Sequence, residues 1–290
     1  MKKRRIRLIL SSLVVVIVAS VIAGCRNEST NNIESITVSG SSALLPLMEK
    51  TIEKFNEKNP NSEISAQAGG SGTGLAQVLN GAVDIGNSDI SAEDKLDQAN
   101  AKKLVDHKVI AQGFGVVVNK SLGIDNLTSN QIRDIFAGKV TNWNAVGGPD
   151  KEILLIHRTA GSGTRATFEK TILDGDKSLE NDSIGITQDS NGAVLSVIKA
   201  NDGAVSYLSL VYMNTEEAKN LLNVLKIDGI ASDKVNIYDG SYKFWSWGHM
   251  YTRGEATGLA KEFIEFVTST DNSSSIESLG FISGAEMKVK

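Results

Sequence analysis

Lys151 to Thr164 reads KEILLIHRTAGSGT, and the decision about the fold turns on how this stretch divides. KEILLIH (151–157) has the short apolar character of a strand. RTAGSGT (158–164) is a loop of small and hydroxylated residues, and the helix predicted after it covers Arg165 to Leu173. The same succession of strand, Gly/Ser loop and helix occurs twice upstream. Ser35 to Ser39 (SITVS) alternates like a strand, GSSALL (40–45) follows, and Leu44, Leu47, Met48, Ile52 and Phe55 then fall at helical spacing before Asn59-Pro60. Glu63 to Ala68 is a second short strand, and GGSGTG (69–74) leads into a helical LAQVLNG. Strands alternating with helices specify an α/β fold with a mostly parallel sheet.

The part of the chain from residue 34 onward is large for one core and comfortable for two. Val109 to Asn119 (VIAQGFGVVVN) is a long β-rich run that reads as a crossing between domains. Tyr242 to Thr252, with Tyr242, Phe244, Trp245, Trp247 and Tyr251, reads as the return crossing. The expected layout is a middle domain inserted into a discontinuous first one: 34–111 and 247–290 on one side, 112–246 on the other. A single large sheet with these runs as ordinary strands is the competing arrangement.

The 290 residues carry a formal charge of −4, unevenly spread. Lys2, Lys3, Arg4, Arg5 and Arg7 take five of the 30 basic residues, so the rest of the chain sets 25 bases against 34 acids, a net −9. An acidic body of this kind is a poor nucleic-acid binder, because that affinity comes from basic side chains displacing phosphate counterions. The basic start is followed by an apolar run from Ile6 to Ala23, the layout of a secretory signal over residues 1–24. The run ends in Ile22-Ala23-Gly24-Cys25, and Cys25 is the one cysteine in the chain. Small residues before a lone cysteine resemble a bacterial lipobox, so Cys25 is the expected lipidation site and 25–33 a polar tether. The folded part is then expected on the extracytoplasmic face of the cell membrane. With one cysteine and three histidines, no internal disulfide and no metal site is expected.

The three loops share a design with chemical meaning. At a helix start the first N–H groups lack internal partners and the helix dipole is positive, so small residues let an anion approach the backbone, and hydroxyls add donors. Ser, Thr and Gly are also ordinary caps and turn formers; it is their recurrence in three loops, one with Arg158 at its strand end, that favours an anion cage. Other Gly-rich readings fail in detail. The one Gly-Lys pair, Gly138-Lys139, continues with Val140 and so makes no Walker A loop. Neither Ser162 nor Ser71 has both glycines of a nucleophile elbow. DIGNSD (84–89) reads as a short strand running into a turn, and Asp89 at its carboxyl end is expected in the same cleft. An ionised carboxylate is purely an acceptor, so it suits an anion that still carries a proton.

SGSSALLPLMEK, AGGSGTG, DIGNSDI, HRTAGSGTR and GAVSYL resemble, in order and spacing, the phosphate-binding subunit of the bacterial phosphate ABC importer, over nearly the whole exported chain. The resemblance implies a two-domain, periplasmic-binding-protein-like Venus flytrap with two crossover segments and a phosphate ion dehydrated between the domains. It implies donors from Ser42, Leu44 and Leu45 in the first loop, Ser71 in the second, and Arg158, Ser162, Gly163 and Thr164 in the third. Asp89 is the implied acceptor of the ligand's proton. Two departures stand out: Leu44-Leu45 precede Pro46 where many members have threonine and phenylalanine, and Ala160 stands where many have an acid. Only backbone donation is left at Leu44 and Leu45, and Ser41 or Ser42 is left to supply the hydroxyl. Arg165 is expected to pair with Asp89, to reach the anion, or to lie on a solvated helix face. The expected function is capture of inorganic phosphate, without chemistry or cofactor, for delivery to an ABC permease from a lipid-anchored position. The alternatives are a binding protein for another oxyanion such as molybdate or sulfate, and an enzyme using Ser162 or Ser71 as nucleophile.

Overall fold

A computed structural model describes residues 33–289. The signal expected at 1–24, Cys25 and nearly all of the tether lie outside the described residues. From Ser35 the chain is one compact unit. Its strands are β1 (Glu34–Gly40), β2 (Ser62–Ala68), β3 (Ile85–Ser88), β4 (Leu104–Asn119), β5 (Asn126–Leu127), β6 (Leu154–Arg158), β7 (Ile186–Gln188), β8 (Ala204–Ser209), β9 (Leu222–Val224), β10 (Lys226–Ile227), β11 (Trp245–Arg253) and β12 (Ile282–Ser283). The helices that matter for the site are α1 (Leu45–Lys58), α2 (Ser71–Leu79), α3 (Gly163–Thr171), α4 (Asn191–Ala200) and α5 (Gly258–Val267).

The hydrogen-bonded path runs β2-β1-β3-β11-β4-β8-β6-β7, with β9 and β12 also on β4, and β5 and β10 forming a separate small pair. The βα units give parallel pairs, β1 with β3, β6 with β8 and β6 with β7. The two predicted crossings give antiparallel ones: β11 pairs β3 on one side and β4 on the other. At 16 residues β4 changes partners along its length, from β11 over Leu104–Gly113 to β8 over Phe114–Val118. The change coincides with a change of core. Val109 and Ile110 pack with Val38, Leu47, Phe55, Ile85, Met250 and Phe263, whereas Phe114, Val116 and Val118 pack with Phe136, Phe168, Tyr207 and Phe244. The ladder is continuous where two cores were expected, so the domains and the single sheet are not exclusive descriptions.

Each helix forms for a local reason. In α1 the buried Leu47, Met48, Thr51 and Phe55 line one face, which meets α5 through an edge-on Phe55–Phe263 contact at 5.6 Å. It stops at Asn59, since Pro60 disfavours helical backbone in the residue before it. Two helices start earlier than expected: α2 at Ser71 and α3 at Gly163, within the stretches read as loops. Glycine's low helix propensity works against this, but the close approach of other segments overrides it. A Cβ on Gly74 would stand 2.7 Å from backbone atoms of Ser39, Gly40 and Asn87.

Candidate functional site

Three helix starts meet where β1, β3 and β6 end. Gly69 and Gly70 N–H both donate to the Gly40 carbonyl at 2.8 Å, joining the first two loops. Gly72 N–H donates to the Gly161 carbonyl at 2.9 Å, joining the second to the third. At Gly163 there is no room for a side chain, because a Cβ would come within 2.1 Å of Ser71 Oγ and 2.8 Å of Asp89 Cβ. The alanine substitution at Gly163 is therefore expected to hold the loops apart, to weaken ligand binding at least tenfold in a calorimetric titration and to lower the melting temperature.

Asp89, 3% exposed, sits at the centre of this meeting point. Its backbone N–H donates to Ser71 Oγ (2.9 Å), and its Oδ1 accepts from Ser41 Oγ (2.5 Å) and Gln112 Nε2 (2.8 Å). Oδ2 has Thr164 Oγ1 at 3.5 Å, the outer limit of a hydrogen bond. Burial pushes the carboxyl above the ordinary aspartate range, while the Ser41 and Gln112 hydrogen bonds and the charges of Arg158 and His249 pull the other way. Of the two first-loop serines, Ser41 serves Asp89, and Ser42 faces the arginine.

Arg158 is 1% exposed, and burial lowers its pKa from the usual arginine value. Its Nη2 donates to the Asp189 carbonyl (3.1 Å) and reaches Ser42 Oγ at 3.4 Å. Nε and Nη1 are buried and have no hydrogen-bond partner among the described residues. Two guanidinium donors left unmet inside a protein are costly unless something accepts from them. The Leu44 side chain belongs to the core with Leu47, so this residue can offer the site only its backbone, and Leu45 opens α1. Ser162 Oγ caps α3 by accepting from the Arg165 N–H at 3.2 Å, which leaves its own proton to donate.

Arg165 departs from two of the three expectations. It is 8% exposed and neither pairs with Asp89 nor lies on a wet helix face. Its guanidinium bonds Glu169 (2.7 Å) and both oxygens of Asp182 (2.8 Å each), and Nη1 donates to the Arg158 carbonyl at 2.7 Å. Burial opposes its charge, yet the Asp182, Glu169 and Glu180 carboxylates raise its pKa overall. His157, Glu180 and Asp182 are the one grouping with metal-ligand character among the described residues. The Arg165 cation lies against these acids, and both His157 ring nitrogens are engaged, with Glu180 Oε1 and the Ile184 carbonyl.

Sequence reasoning missed Gln112, Asn191 and Tyr212. Asn191 donates to Ser42 Oγ from its backbone (3.2 Å) and its amide (3.0 Å), while Tyr212 holds the Ser42 carbonyl at 2.7 Å. For Asn191 there was a signal: Ile186–Gln188, then a small-residue turn, then α4 repeats the strand-loop-helix unit, with Ser190 as cap.

Known proteins fit this geometry. A family profile described as the PBP superfamily domain matches residues 26–271. The phosphate-binding protein PstS of Bacillus subtilis is 41% identical, the match covering all of this chain and 97% of that one. A Clostridium perfringens substrate-binding protein assigned to a phosphate ABC transporter, solved with bound phosphate, superposes with a TM-score of 0.78 at 28% identity, covering 86% of this chain and 99% of that one. An ABC-type phosphate transport receptor from Vibrio cholerae gives 0.66 at 26% identity, covering 86% of this chain and all of the other. The fold is thus the mixed α/β architecture of the two-domain periplasmic binding proteins, and the chain belongs to the PBP superfamily and, within it, to the phosphate-binding proteins of bacterial phosphate ABC importers.

Proposed function

We propose that this chain captures inorganic phosphate between two lobes, unchanged chemically, and passes it to an ABC permease while tethered through Cys25 to the extracytoplasmic face of the cell membrane. The observation that carries this reading is the pair of buried Arg158 donors with no partner among the described residues, close enough to Asp89 to feel its charge. In the proposed complex Arg158 supplies countercharge and a rigid fork of donors, and Ser42, Ser71, Ser162 and Thr164 add hydroxyls. The backbones of Leu44, Leu45 and Gly163 add N–H groups, and Asp89 accepts the ligand's proton.

The proposed lobes are 34–111 with 247–290, and 112–246. Support comes from the change of core along β4, between Ile110 and Phe114, and from third-loop contacts with residues of the first lobe, Gly72 N–H to the Gly161 carbonyl and Lys95 Nζ to the Ala160 carbonyl at 3.2 Å. A ligand bridging the lobes stabilises the closed state by its differential affinity. Solution scattering is therefore expected to show a smaller radius of gyration at saturating phosphate, and identical curves would remove the hinge.

An enzymatic reading with Ser71 or Ser162 as nucleophile finds each histidine engaged elsewhere. His157 is held by Glu180 and Ile184, His249 by Asp106 at 2.8 Å, and His107 lies 3.0 Å from Thr252. Calorimetric binding of phosphate, run beside an assay for phosphomonoester turnover, tests the two readings together: binding without turnover is expected. No helix among the described residues is long and apolar enough to cross a membrane; membrane attachment is assigned to Cys25 on the lipobox-like Ile22-Ala23-Gly24-Cys25 alone. Cys25→Ser is expected to release or misprocess the protein with ligand affinity unchanged; a variant that stays membrane-held with its normal mature mass would contradict the anchor.

A further inference from the structure

Gln112 lies on the crossing strand β4, opposite Ser246 of β11, and is 1% exposed. Its Nε2 donates to Asp89 Oδ1, and its Oε1 is buried without a partner among the described residues. A buried amide that meets one half of its hydrogen-bonding capacity is a poor stabiliser, so its presence calls for a reason other than packing. The amide orientation follows from its neighbour: the opposite one would set two acceptors face to face. With the Ser41 hydroxyl on the same oxygen, Oδ1 has two donors and Oδ2 has the distant Thr164 hydroxyl.

Resting on the functional reading above, we propose that Gln112 is a positioning residue that determines specificity: by occupying Oδ1 of Asp89 together with Ser41, it keeps the carboxylate an acceptor and presents Oδ2 alone to the proton of the bound anion. The groups bearing on Asp89 from the surrounding elements are Arg158 at the end of β6, His249 of β11 (itself paired with Asp106) and Tyr212 beyond β8. Burial works against ionisation of Asp89, and the Gln112 hydrogen bond is among the interactions that oppose it. An Asp89 that took up a proton would become a donor, and a donor accepts sulfate as readily as it accepts hydrogen phosphate. Gln112 thus acts on selectivity through Asp89, without a contact of its own to the ligand.

The test is calorimetry of the full-length chain and its Gln112→Met variant with phosphate and with sulfate at pH 7, beside thermal melting. Methionine keeps length and volume and removes the donor. The phosphate-to-sulfate affinity ratio is expected to fall by about tenfold, mostly through weaker phosphate binding, with no loss of melting temperature. A ratio that moves less than threefold, or equal losses for both anions, overturns the inference. Gln112→Glu is the second arm, since two adjoining carboxyls hold a shared proton with a raised pKa. Its ratio, relative to the unmodified chain at each pH, is expected to be near normal at pH 5 and reduced at pH 8; a pH-independent ratio overturns the inference as well. An unmodified chain that binds the two anions alike brings down the functional reading itself, whereas a phosphate preference indifferent to Gln112 brings down this inference alone.

Discussion

Replacing Arg158 with alanine is expected to weaken phosphate binding by roughly 2 to 5 kcal/mol, about thirtyfold to a few thousandfold, the range for truncating one partner of a buried charge pair. Three features of the site set this size. The guanidinium is nearly inaccessible to water, so its charge is weakly screened. Two of its donor nitrogens have no partner among the described residues, so the ligand would receive their full directional strength. Its carbonyl is pinned by Arg165, and its Nη2 by Asp189, so little freedom remains to be lost on binding. Arg158→Lys keeps the charge but not the fork, and an intermediate loss is expected. A titration of the alanine variant showing less than a threefold change would place the site elsewhere.

The second large effect is on selectivity and belongs to Asp89. Sulfate is fully ionised near neutral pH and offers the carboxylate no proton, so two acceptors would face each other in a water-poor site. A site built to pair a particular proton rejects the analogue lacking it by on the order of 10⁴ or more. Asp89→Asn, which can donate as well as accept, is expected to narrow the phosphate-to-sulfate gap by at least tenfold. The same change has a consequence for stability without ligand. Burial raises the folded-state pKa of Asp89 above its unfolded value, so its contribution to stability is complete below the usual carboxylate range and is lost as pH rises through that raised pKa. At pH 7 the asparagine variant is therefore expected to melt higher than the unmodified protein. For a chain of this size each kcal/mol corresponds to roughly 2 to 4 °C. The pH profile of phosphate binding should also fall below about pH 6 to 7, where a second proton adds to inorganic phosphate and the singly protonated dianion disappears.

Much of the scaffold was legible because its signals are local. The strand-loop-helix units show in consecutive residues, and the crossings were marked by VIAQGFGVVVN and by the aromatic run around Trp245. Helix starts were misplaced at Ser71 and Gly163, because what makes a glycine acceptable there is the approach of another segment, its backbone at Gly74 and its side chains at Gly163, rather than the glycine's own neighbours. The contacts around the site divide along the same line. Asp89 and Arg158 stand at strand ends, where an α/β sheet puts its ligand groups. Gln112 stands mid-strand in an apolar run and reaches Asp89 only through the pairing of β4 with β11 and of β11 with β3. Arg165 has the surroundings of a surface helix residue in sequence, and what buries it is Glu180 and Asp182, in a segment outside the regular strands and helices.

On the proposed reading a buried arginine and a proton-accepting aspartate make this a phosphate site that rejects sulfate. Titrating the unmodified protein with each anion by calorimetry at pH 7 tests it most directly. Phosphate binding tighter than sulfate binding by three or more orders of magnitude is the predicted result; comparable affinities for the two anions would contradict both the role of Asp89 and the identity of the ligand.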